Sequence, residues 1–144
     1  PYAVMEIIKY LEIDLAGKEF LVVGGGNVGL PLSMLALREG YATVTLCEYR
    51  TENLAAKTRR ADIICSSVGK KHFITSDMVT EDSVVIDVGI NEDGEDGRIT
   101  GDVDYENVKN KVSRITPVPG GVGPMTTTLI MSNTLQAARL LTES

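Results

Sequence analysis

The segment Phe20-Leu21-Val22-Val23-Gly24-Gly25-Gly26-Asn27-Val28-Gly29 decides the fold of this 144-residue chain. Its four leading apolar residues predict a buried strand, and the glycines at positions 24, 26 and 29 have the G-x-G-x-x-G spacing. In dinucleotide-binding βαβ units the first glycine allows a tight turn, the second admits a pyrophosphate, and the third lets a helix pack on the strand. A glycine-rich turn with a purely structural role is the alternative. We predict that Gly24, Gly25, Gly26, Asn27, Val28 and Gly29 bind a nucleotide.

An acidic residue stands where this fingerprint requires one. Glu48 ends the second predicted strand about twenty residues after the glycines, where a carboxylate binds the adenosine ribose. Glu48, Tyr49 and Arg50 are therefore candidate cofactor residues. A carboxylate at this position would repel the 2′-phosphate of NADP, whereas Arg50 is close enough in sequence to attract it. We expect NAD or NADP to bind, with NAD favoured.

The rest of the chain alternates short β-rich runs with helical patterns, which predicts a parallel sheet with crossover helices. Predicted strands lie near 20–23, 43–47, 63–66, 84–88 and 112–115, and predicted helices near 4–11, 28–38, 51–57, 75–79, 105–110 and 125–141. The fold class is α/β, a Rossmann-like doubly wound parallel sheet with helices on both faces, in one domain over residues 1–144. The acidic stretch 91–101 predicts an exposed loop or small hairpin.

Composition excludes several other classes of protein. A formal charge of −6 and a pI near 4.8 argue against nucleic acid, which binds clustered cations. The uncharged spans 20–37 and 116–138 are interrupted by glycine, proline and polar residues, so we expect no membrane helix. Cys47 and Cys65 lie in separate apolar runs and are interpreted as free thiols of a cytoplasmic protein, with a disulfide as the minor alternative. Without a cluster of His, Cys and carboxylates, no metal site is predicted.

A second glycine-rich run follows the fifth predicted strand. Glycine lets the main chain approach a flat ligand, and proline reduces the entropy that the loop loses on ordering. Pro124 stands where a helix would begin. An ordinary strand-to-helix turn is the alternative. The residues of this predicted ligand-facing loop are Pro119, Gly120, Gly121, Val122, Gly123 and Pro124.

These runs together resemble the methylenetetrahydrofolate dehydrogenase/cyclohydrolase family. The resemblance is carried, in order, by residues 42–47, 61–64, 84–91, 101–105, 115–126 and 133–138, and it covers nearly the whole chain. It implies the C-terminal NAD(P)-binding domain of a two-domain homodimeric enzyme whose N-terminal catalytic folate domain is absent here. The implied reaction oxidises methylenetetrahydrofolate to methenyltetrahydrofolate by hydride transfer to the cofactor, and a cyclohydrolase step then opens the product with water.

The resemblance also implies individual site residues. Ser67 would lie over the cofactor. Val88, Gly89 and Ile90 would lie beside the nicotinamide, and Thr126 would close the same side. The alternative roles are a turn residue for Ser67, a core residue for Ile90 and a helix cap for Thr126. The loop from Pro119 to Pro124 would face the tetrahydrofolate derivative in the interdomain cleft. No catalytic residue is predicted in this chain, because the family's lysine and its partners belong to the missing domain. Two family segments, Gly-Arg-Ser and Cys-His-Ser, are replaced here by Gly24-Gly25-Gly26 and Cys47-Glu48-Tyr49. Both replacements remove groups that favour NADP.

Other tempting features are given structural interpretations. Tyr105 and Lys109 have the Tyr-x-x-x-Lys spacing of short-chain dehydrogenases, but they lie in a segment that resembles a structural part of the folate family. His72 is expected in a surface loop, and Asp87 and Asp102 as acceptors that order loops. A non-catalytic NAD-binding module and another Rossmann dehydrogenase, such as a shikimate-type enzyme, stay open as alternatives.

Overall fold

β-branched and other apolar residues build the strands at the centre of the molecule. The structure is a computed structural model that describes residues 1–94 and 97–142. Its helices are α1 (Tyr2–Tyr10), α2 (Gly29–Gly40), α3 (Leu54–Thr58), α4 (Tyr105–Val108) and α5 (Val122–Thr142). Its strands are β1 (Glu19–Val23), β2 (Thr43–Cys47), β3 (Ile63–Ser66), β4 (Val84–Asp87), β5 (Asn91–Asp93), β6 (Arg98–Thr100) and β7 (Arg114–Ile115), and Ser76–Met78 form a 3-10 turn.

Five of the strands form one parallel sheet in the order β2-β1-β3-β4-β7. The chain moves from β1 to one side to make β2, then returns to the other side of β1 to make β3. In open α/β sheets a ligand binds outside the carboxyl ends of the strands where this change of direction occurs. The topology therefore places a crevice between the carboxyl ends of β1 and β3, and it confirms the predicted α/β class.

Alternate residues of β1 enter two hydrophobic cores, because successive side chains in a strand point to opposite faces of the sheet. Phe20 and Val22 pack with α1 and α2, where Leu32 is fully buried. Leu21 and Val23 pack with residues of α3 and α4 on the other face. Burying one such aliphatic or aromatic side chain contributes about 1.5–3 kcal/mol, so both layers hold the sheet in place. The predicted helices on both faces are confirmed.

Several predicted elements are shorter than expected, and for three of them the structure gives a local reason. Thr51 does not begin a helix, because its hydroxyl accepts a hydrogen bond from the Glu48 amide in the turn after β2. Within the predicted helix 75–79 only Ser76–Met78 form a turn, of the 3-10 type, and Val79 after it is extended and buried. The amide of Val112 still donates to Val108 after α4, so β7 begins only at Arg114.

The predicted acidic hairpin is confirmed for its described part. β5 and β6 pair antiparallel, with Asn91 opposite Thr100 and Asp93 opposite Arg98. Residues 95 and 96 of the same predicted stretch lie outside the described residues. Among the helices that the structure describes, none has the length and apolar character needed to cross a lipid bilayer.

Candidate nucleotide-binding site

The turn between β1 and α2 requires glycine at the two positions that the spacing predicts to be structural. Gly24 has a φ of 98°, and a Cβ added to it would lie 2.5 Å from the carbonyl oxygen of Ser67. A Cβ added to Gly29 would overlap the carbonyl oxygen of Gly24. In contrast, a Cβ added to Gly26 would meet no atom within 4 Å. The turn is thus packed on its inner side and open beside the second glycine, where a pyrophosphate is expected.

The helix that follows presents its N-terminus at this open space. α2 begins at Gly29, and no side-chain hydrogen bond caps it within the described chain. Asn27 is exposed and Val28 is half-buried immediately before the helix. Unpaired amides and the helix dipole make such an N-terminus a favourable position for an anion. The predicted residues of the glycine turn can therefore hold the phosphates of a nucleotide.

Glu48 reaches the glycine turn from the end of the neighbouring strand β2. Its Oε1 accepts a hydrogen bond from the Gly25 amide at 3.0 Å, although the side chain is exposed. A Cβ added to Gly25 would overlap this carboxylate. Arg50 lies with its guanidinium carbon 5.2 Å from the centre of the Tyr49 ring. The carboxylate therefore stands at the glycine turn while the Arg50 cation lies over an aromatic face.

Ser67 connects the carboxyl ends of β1 and β3. Its hydroxyl is 3.3 Å from the Val23 carbonyl oxygen and 3.1 Å from that of Gly24, to which it donates. The structure thus gives this residue a role in the turn, which is the ordinary interpretation of the sequence. Contact between Ser67 and a cofactor stays a prediction.

Two buried carboxylates order the loops beyond β3 and β4, as the sequence predicts. Asp102 is fully buried and accepts hydrogen bonds from the loop after β3 and from Asn91. Asp87 accepts hydrogen bonds from the amides of Gly89, Asp102 and Val103. Burial raises the pKa of Asp87 to about 6 from the ordinary 3.8, although the three amides oppose the change. These groups shape the backbone around the crevice.

The residues predicted beside the nicotinamide follow β4 and β7. The amide of Val88 donates to the Ser66 carbonyl oxygen, and a Cβ on Gly89 would overlap the Asp102 carboxylate. Ile90 is 68% exposed, which excludes the alternative of a core residue. Thr126 lies inside α5 and donates to the carbonyl oxygen of Val122, which excludes the alternative of a helix cap.

The second glycine-rich run folds onto itself before α5. The Val118–Pro119 peptide is cis, Gly120 has a φ of 107°, and a Cβ on Gly121 would lie 2.5 Å from the Pro117 carbonyl oxygen. α5 begins at the buried Val122, three residues before the helix predicted at 125–141. No atom lies within 4 Å of a Cβ added to Gly123. The loop is therefore tightly packed at Gly121 and open at Gly123.

Only some of the predicted cofactor-binding residues contact one another directly in the described structure. Gly24, Gly25, Glu48 and Ser67 touch one another around the glycine turn, whereas Ile90 and Thr126 belong to separate segments after β4 and β7. Three structural residues escaped prediction: Ser66 and Asn91, which donate to Asp102, and Thr116, whose hydroxyl accepts from the Asp87 amide at 2.9 Å. Their partners are 11 to 36 residues away in sequence, so no local spacing identifies them.

Of the other features judged structural, His72 is exposed and Tyr105 and Lys109 are half-buried. His72 has a φ of 52° in a turn. The Lys109 ammonium is 2.6 Å from the Glu106 carboxylate and 5.5 Å from the centre of the Tyr105 ring. Across residues 1–94 and 97–142, no group of three or more His, Cys, Asp or Glu side chains is arranged to hold a metal ion.

Comparison with known proteins adds independent observations. A family model described as tetrahydrofolate dehydrogenase/cyclohydrolase, NAD(P)-binding domain, matches residues 1–142. The bifunctional protein FolD of Nautilia profundicola is 54% identical over 140 residues, which are 96% of this chain and 49% of that protein. FolD of Bacillus subtilis is 50% identical over 140 residues, which are also 96% of this chain and 49% of that protein. The chain spans about half the length of the curated relatives it matches.

Solved structures agree with this match. A bifunctional FolD from Campylobacter jejuni superposes with a TM-score of 0.91 at 47% identity, covering 96% of this chain and 49% of that one. A Trypanosoma brucei FolD complexed with NADP cofactor and inhibitor superposes with a TM-score of 0.91 at 33% identity, covering 99% of this chain and 50% of that one. Shikimate dehydrogenase from Aquifex aeolicus superposes with a TM-score of 0.56 at 18% identity, covering 82% of this chain and 49% of that one. This similarity shows the fold alone.

Proposed function

We propose a function from one premise: this chain belongs to the tetrahydrofolate dehydrogenase/cyclohydrolase family, as its NAD(P)-binding domain. The complete two-domain enzyme oxidises methylenetetrahydrofolate to methenyltetrahydrofolate and hydrolyses that product in a cyclohydrolase step. The observation that carries this proposal is the family match over residues 1–142, at about 50% identity to several FolD proteins. A bound nicotinamide cofactor supplies the hydride acceptor, and the contribution of the protein is to bind and orient it.

The packing of the glycine turn fits such a cofactor. The open space at Gly26 and the uncapped N-terminus of α2 support phosphate binding there, because main-chain amides and the helix dipole favour an anion. The carboxylate of Glu48 is placed to accept hydrogen bonds from the adenosine ribose. The domain thus binds the dinucleotide across the switch point of its sheet.

The preferred cofactor is NAD. A 2′-phosphate beside the Glu48 carboxylate would face a like charge, whereas ribose hydroxyls would find an acceptor. Arg50 is the competing group, and its position over the Tyr49 ring supports the preference because the cation already has a favourable contact. The Trypanosoma brucei relative has NADP bound, so this preference would distinguish the present protein from that relative.

The tetrahydrofolate derivative binds in a cleft between this domain and the second half of the enzyme. The segment from Pro119 to Pro124 forms one wall of that cleft, and Ile90 and Thr126 lie towards the nicotinamide. By family resemblance the groups that move protons belong to the other half, and in this half the carboxylates of Asp87 and Asp102 are engaged by backbone amides. By family resemblance the enzyme is a homodimer.

The proposal is tested with the purified chain and with a fusion to the N-terminal half of the Nautilia profundicola relative. We expect the chain alone to bind NAD by calorimetry without reducing it in the presence of methylenetetrahydrofolate. The fusion should reduce NAD, and absorbance of the reduced cofactor measures the rate. Turnover by the chain alone would place proton-moving groups in this domain and refute the division of roles. A folded chain that binds no dinucleotide would refute the proposal itself.

A non-catalytic NAD-binding module is the second candidate, because the glycine turn and the Glu48 carboxylate would serve binding without catalysis equally well. The two candidates differ in the reading frame before Pro1. A preceding segment with Tyr-x-x-x-Lys in a helical pattern indicates the enzyme, and a start codon next to Pro1 indicates the module.

A further inference from the structure

We propose that Asp102 is a positioning residue for the nicotinamide half of the bound dinucleotide. Its carboxylate fixes two segments at the carboxyl edge of the sheet, the loop after β3 and the residues around Ile90. The inference rests on the proposed function, because it assumes that NAD or NADP occupies the crevice. It assigns to Asp102 no part in proton transfer.

The environment of Asp102 is unusually rich in donors. Asp102 lies in the chain between β6 and α4, and its side chain is fully buried. A carboxylate offers about four lone-pair sites, and here both oxygens are saturated. Oδ2 accepts hydrogen bonds from Ser66 Oγ at 3.0 Å, Val68 N at 2.6 Å and Gly69 N at 3.2 Å, and Oδ1 accepts from Lys70 N at 2.9 Å and Asn91 Nδ2 at 3.0 Å.

Three of these donors are successive main-chain amides, at residues 68 to 70. Consecutive amides that converge on one point form a concave site for an anion, and the Asp102 carboxylate occupies it. Gly69 has a φ of 70°, which a residue with a side chain rarely adopts. The conformation of this loop is therefore set by one buried side chain. Without that carboxylate, three amides would lose their acceptor.

The same carboxylate holds the segment after β4. The Cα of Gly89 packs so closely that an added Cβ would overlap the Asp102 oxygens, and the Asn91 amide donates to Oδ1. Ile90 lies between these two contacts and is 68% exposed. A large apolar side chain is thus presented to solvent on a backbone that is fixed on both sides. Such a surface suits the face of an aromatic ring.

The topology connects these two segments with the nicotinamide half of the ligand. Glu48 marks the adenosine side, at the end of β2. A dinucleotide whose pyrophosphate lies at the glycine turn after β1 extends its other half over β3 and β4, because those strands follow in the sheet order. Ser66 ends β3, and Gly89 and Asn91 follow β4. Asp102 therefore organises the half of the crevice opposite Glu48.

The substitution Asp102→Asn distinguishes a purely structural role from a positioning role. A positioning role predicts a larger loss of affinity for NAD than for ADP, and a purely structural role does not. An amide group has one acceptor oxygen, so in either orientation its NH2 would face at least two of the present donors. The full chain is titrated with NAD and, separately, with ADP, which carries the adenosine and both phosphates but no nicotinamide ribose. Thermal unfolding of each variant is measured in parallel.

We expect Asp102→Asn to weaken NAD binding about three- to tenfold, while ADP binding changes by less than about twofold. Asn91→Ala removes one donor and should weaken NAD in the same direction by about twofold, with the fold intact. The matched control is Ser83→Ala. That fully buried hydroxyl accepts from the Thr80 amide at 3.1 Å, just before β4 at the opposite edge of the sheet. It should lower the melting temperature without changing the ratio of NAD to ADP affinity.

The outcomes distinguish this inference from the proposed function. Equal losses of NAD and ADP affinity in Asp102→Asn and Asn91→Ala would overturn the positioning role alone, and so would unchanged NAD affinity in both. If Asp102→Asn fails to fold, Asn91→Ala decides by the same ratio. Wild-type protein that binds neither nucleotide would overturn the proposed function and this inference with it.

Discussion

On the β2 side of the crevice, Glu48 is exposed and its carboxylate accepts a hydrogen bond from Gly25. On the β3 and β4 side, Asp102 is buried and its carboxylate accepts five hydrogen bonds. Both are acidic side chains at the carboxyl edge of one sheet. The difference indicates that a carboxylate proposed to meet the ligand is left adjustable, whereas a carboxylate that shapes the backbone is held by its donors.

The largest expected effect is a loss of stability when the buried carboxylate is removed. Asp102→Ala leaves main-chain amides without an acceptor in a buried site, so we expect the free energy of unfolding to fall by about 3–5 kcal/mol. Glu48→Ala should change the free energy of unfolding by less than about 1 kcal/mol, because water replaces the carboxylate at the Gly25 amide. Urea denaturation of the two variants measures both values. Similar losses in the two variants would contradict the contrast between the sides.

The second prediction uses pH to examine the buried side. Because the folded protein raises the pKa of Asp87 to about 6 from 3.8, the folded state binds that proton more tightly than the unfolded chain. The resulting stabilisation is complete below the ordinary pKa and is lost as pH rises to about 6; it amounts to at most about 3 kcal/mol.

Urea denaturation between pH 4 and 7 tests the Asp87 effect. Relative to Asp87→Asn, the wild type should lose stability as pH rises towards 6 and show no further change above it. The asparagine variant is expected to be less stable overall, since its NH2 group faces amide donors. The test is the difference between the two proteins in how the free energy of unfolding changes with pH. Parallel pH curves for the wild type and Asp87→Asn would refute the effect.

The third prediction concerns ligand choice on the exposed side. A hydrogen bond to a charged group contributes about 1.5–3 kcal/mol, which corresponds to roughly 10-fold to 150-fold in affinity. We expect wild type to bind NAD more tightly than NADP, and Glu48→Ser to narrow or reverse this ratio. Calorimetry at low and moderate salt separates the charge repulsion from the lost hydrogen bond, because salt screens only the former strongly. Tighter binding of NADP by wild type would instead identify Arg50 as a phosphate ligand.

The smallest expected effect sharpens the comparison at Gly25. Gly25→Ala places a Cβ against the Glu48 carboxylate, the end of a flexible exposed side chain that can swing away. Stability should change by less than about 1 kcal/mol, while NAD affinity falls about two- to fivefold as the ribose acceptor moves. The same substitution in a Glu48→Ser background is the control. A loss of NAD affinity that persists in that background would show that Gly25 contacts the nucleotide itself.

Local patterns were sufficient to predict much of this molecule. The glycine turn is encoded in ten consecutive residues, and the strands are short apolar runs, so their class and order follow from sequence alone. Glu48 was identified because its distance from the glycines is fixed by the length of one helix and one strand. The family was identified from several ordered segments rather than from one motif.

The remaining features depend on contacts that sequence spacing does not encode. The sequence predicts Asp102 as a loop acceptor, but its pairing with the amides at 68 to 70 depends on how the loop after β3 packs against it. The contact of Ser67 with the cofactor stays a prediction, but the hydrogen bond from its hydroxyl to the glycine turn is not encoded in the local sequence. Thr51 was placed in a helix, yet its hydroxyl holds the turn after β2. In each case tertiary hydrogen bonding decided the outcome.

The overlap between a side chain at Gly25 and the carboxylate of Glu48 constrains how this protein can evolve. If Glu48 binds the ribose as proposed, a lineage that first acquires a larger residue at position 25 would displace this carboxylate and lose affinity for NAD. The same change after Glu48 has been replaced would meet no such obstacle. Under the proposed preference for NAD, the two substitutions are therefore epistatic, and the accessible mutational path towards NADP begins at position 48.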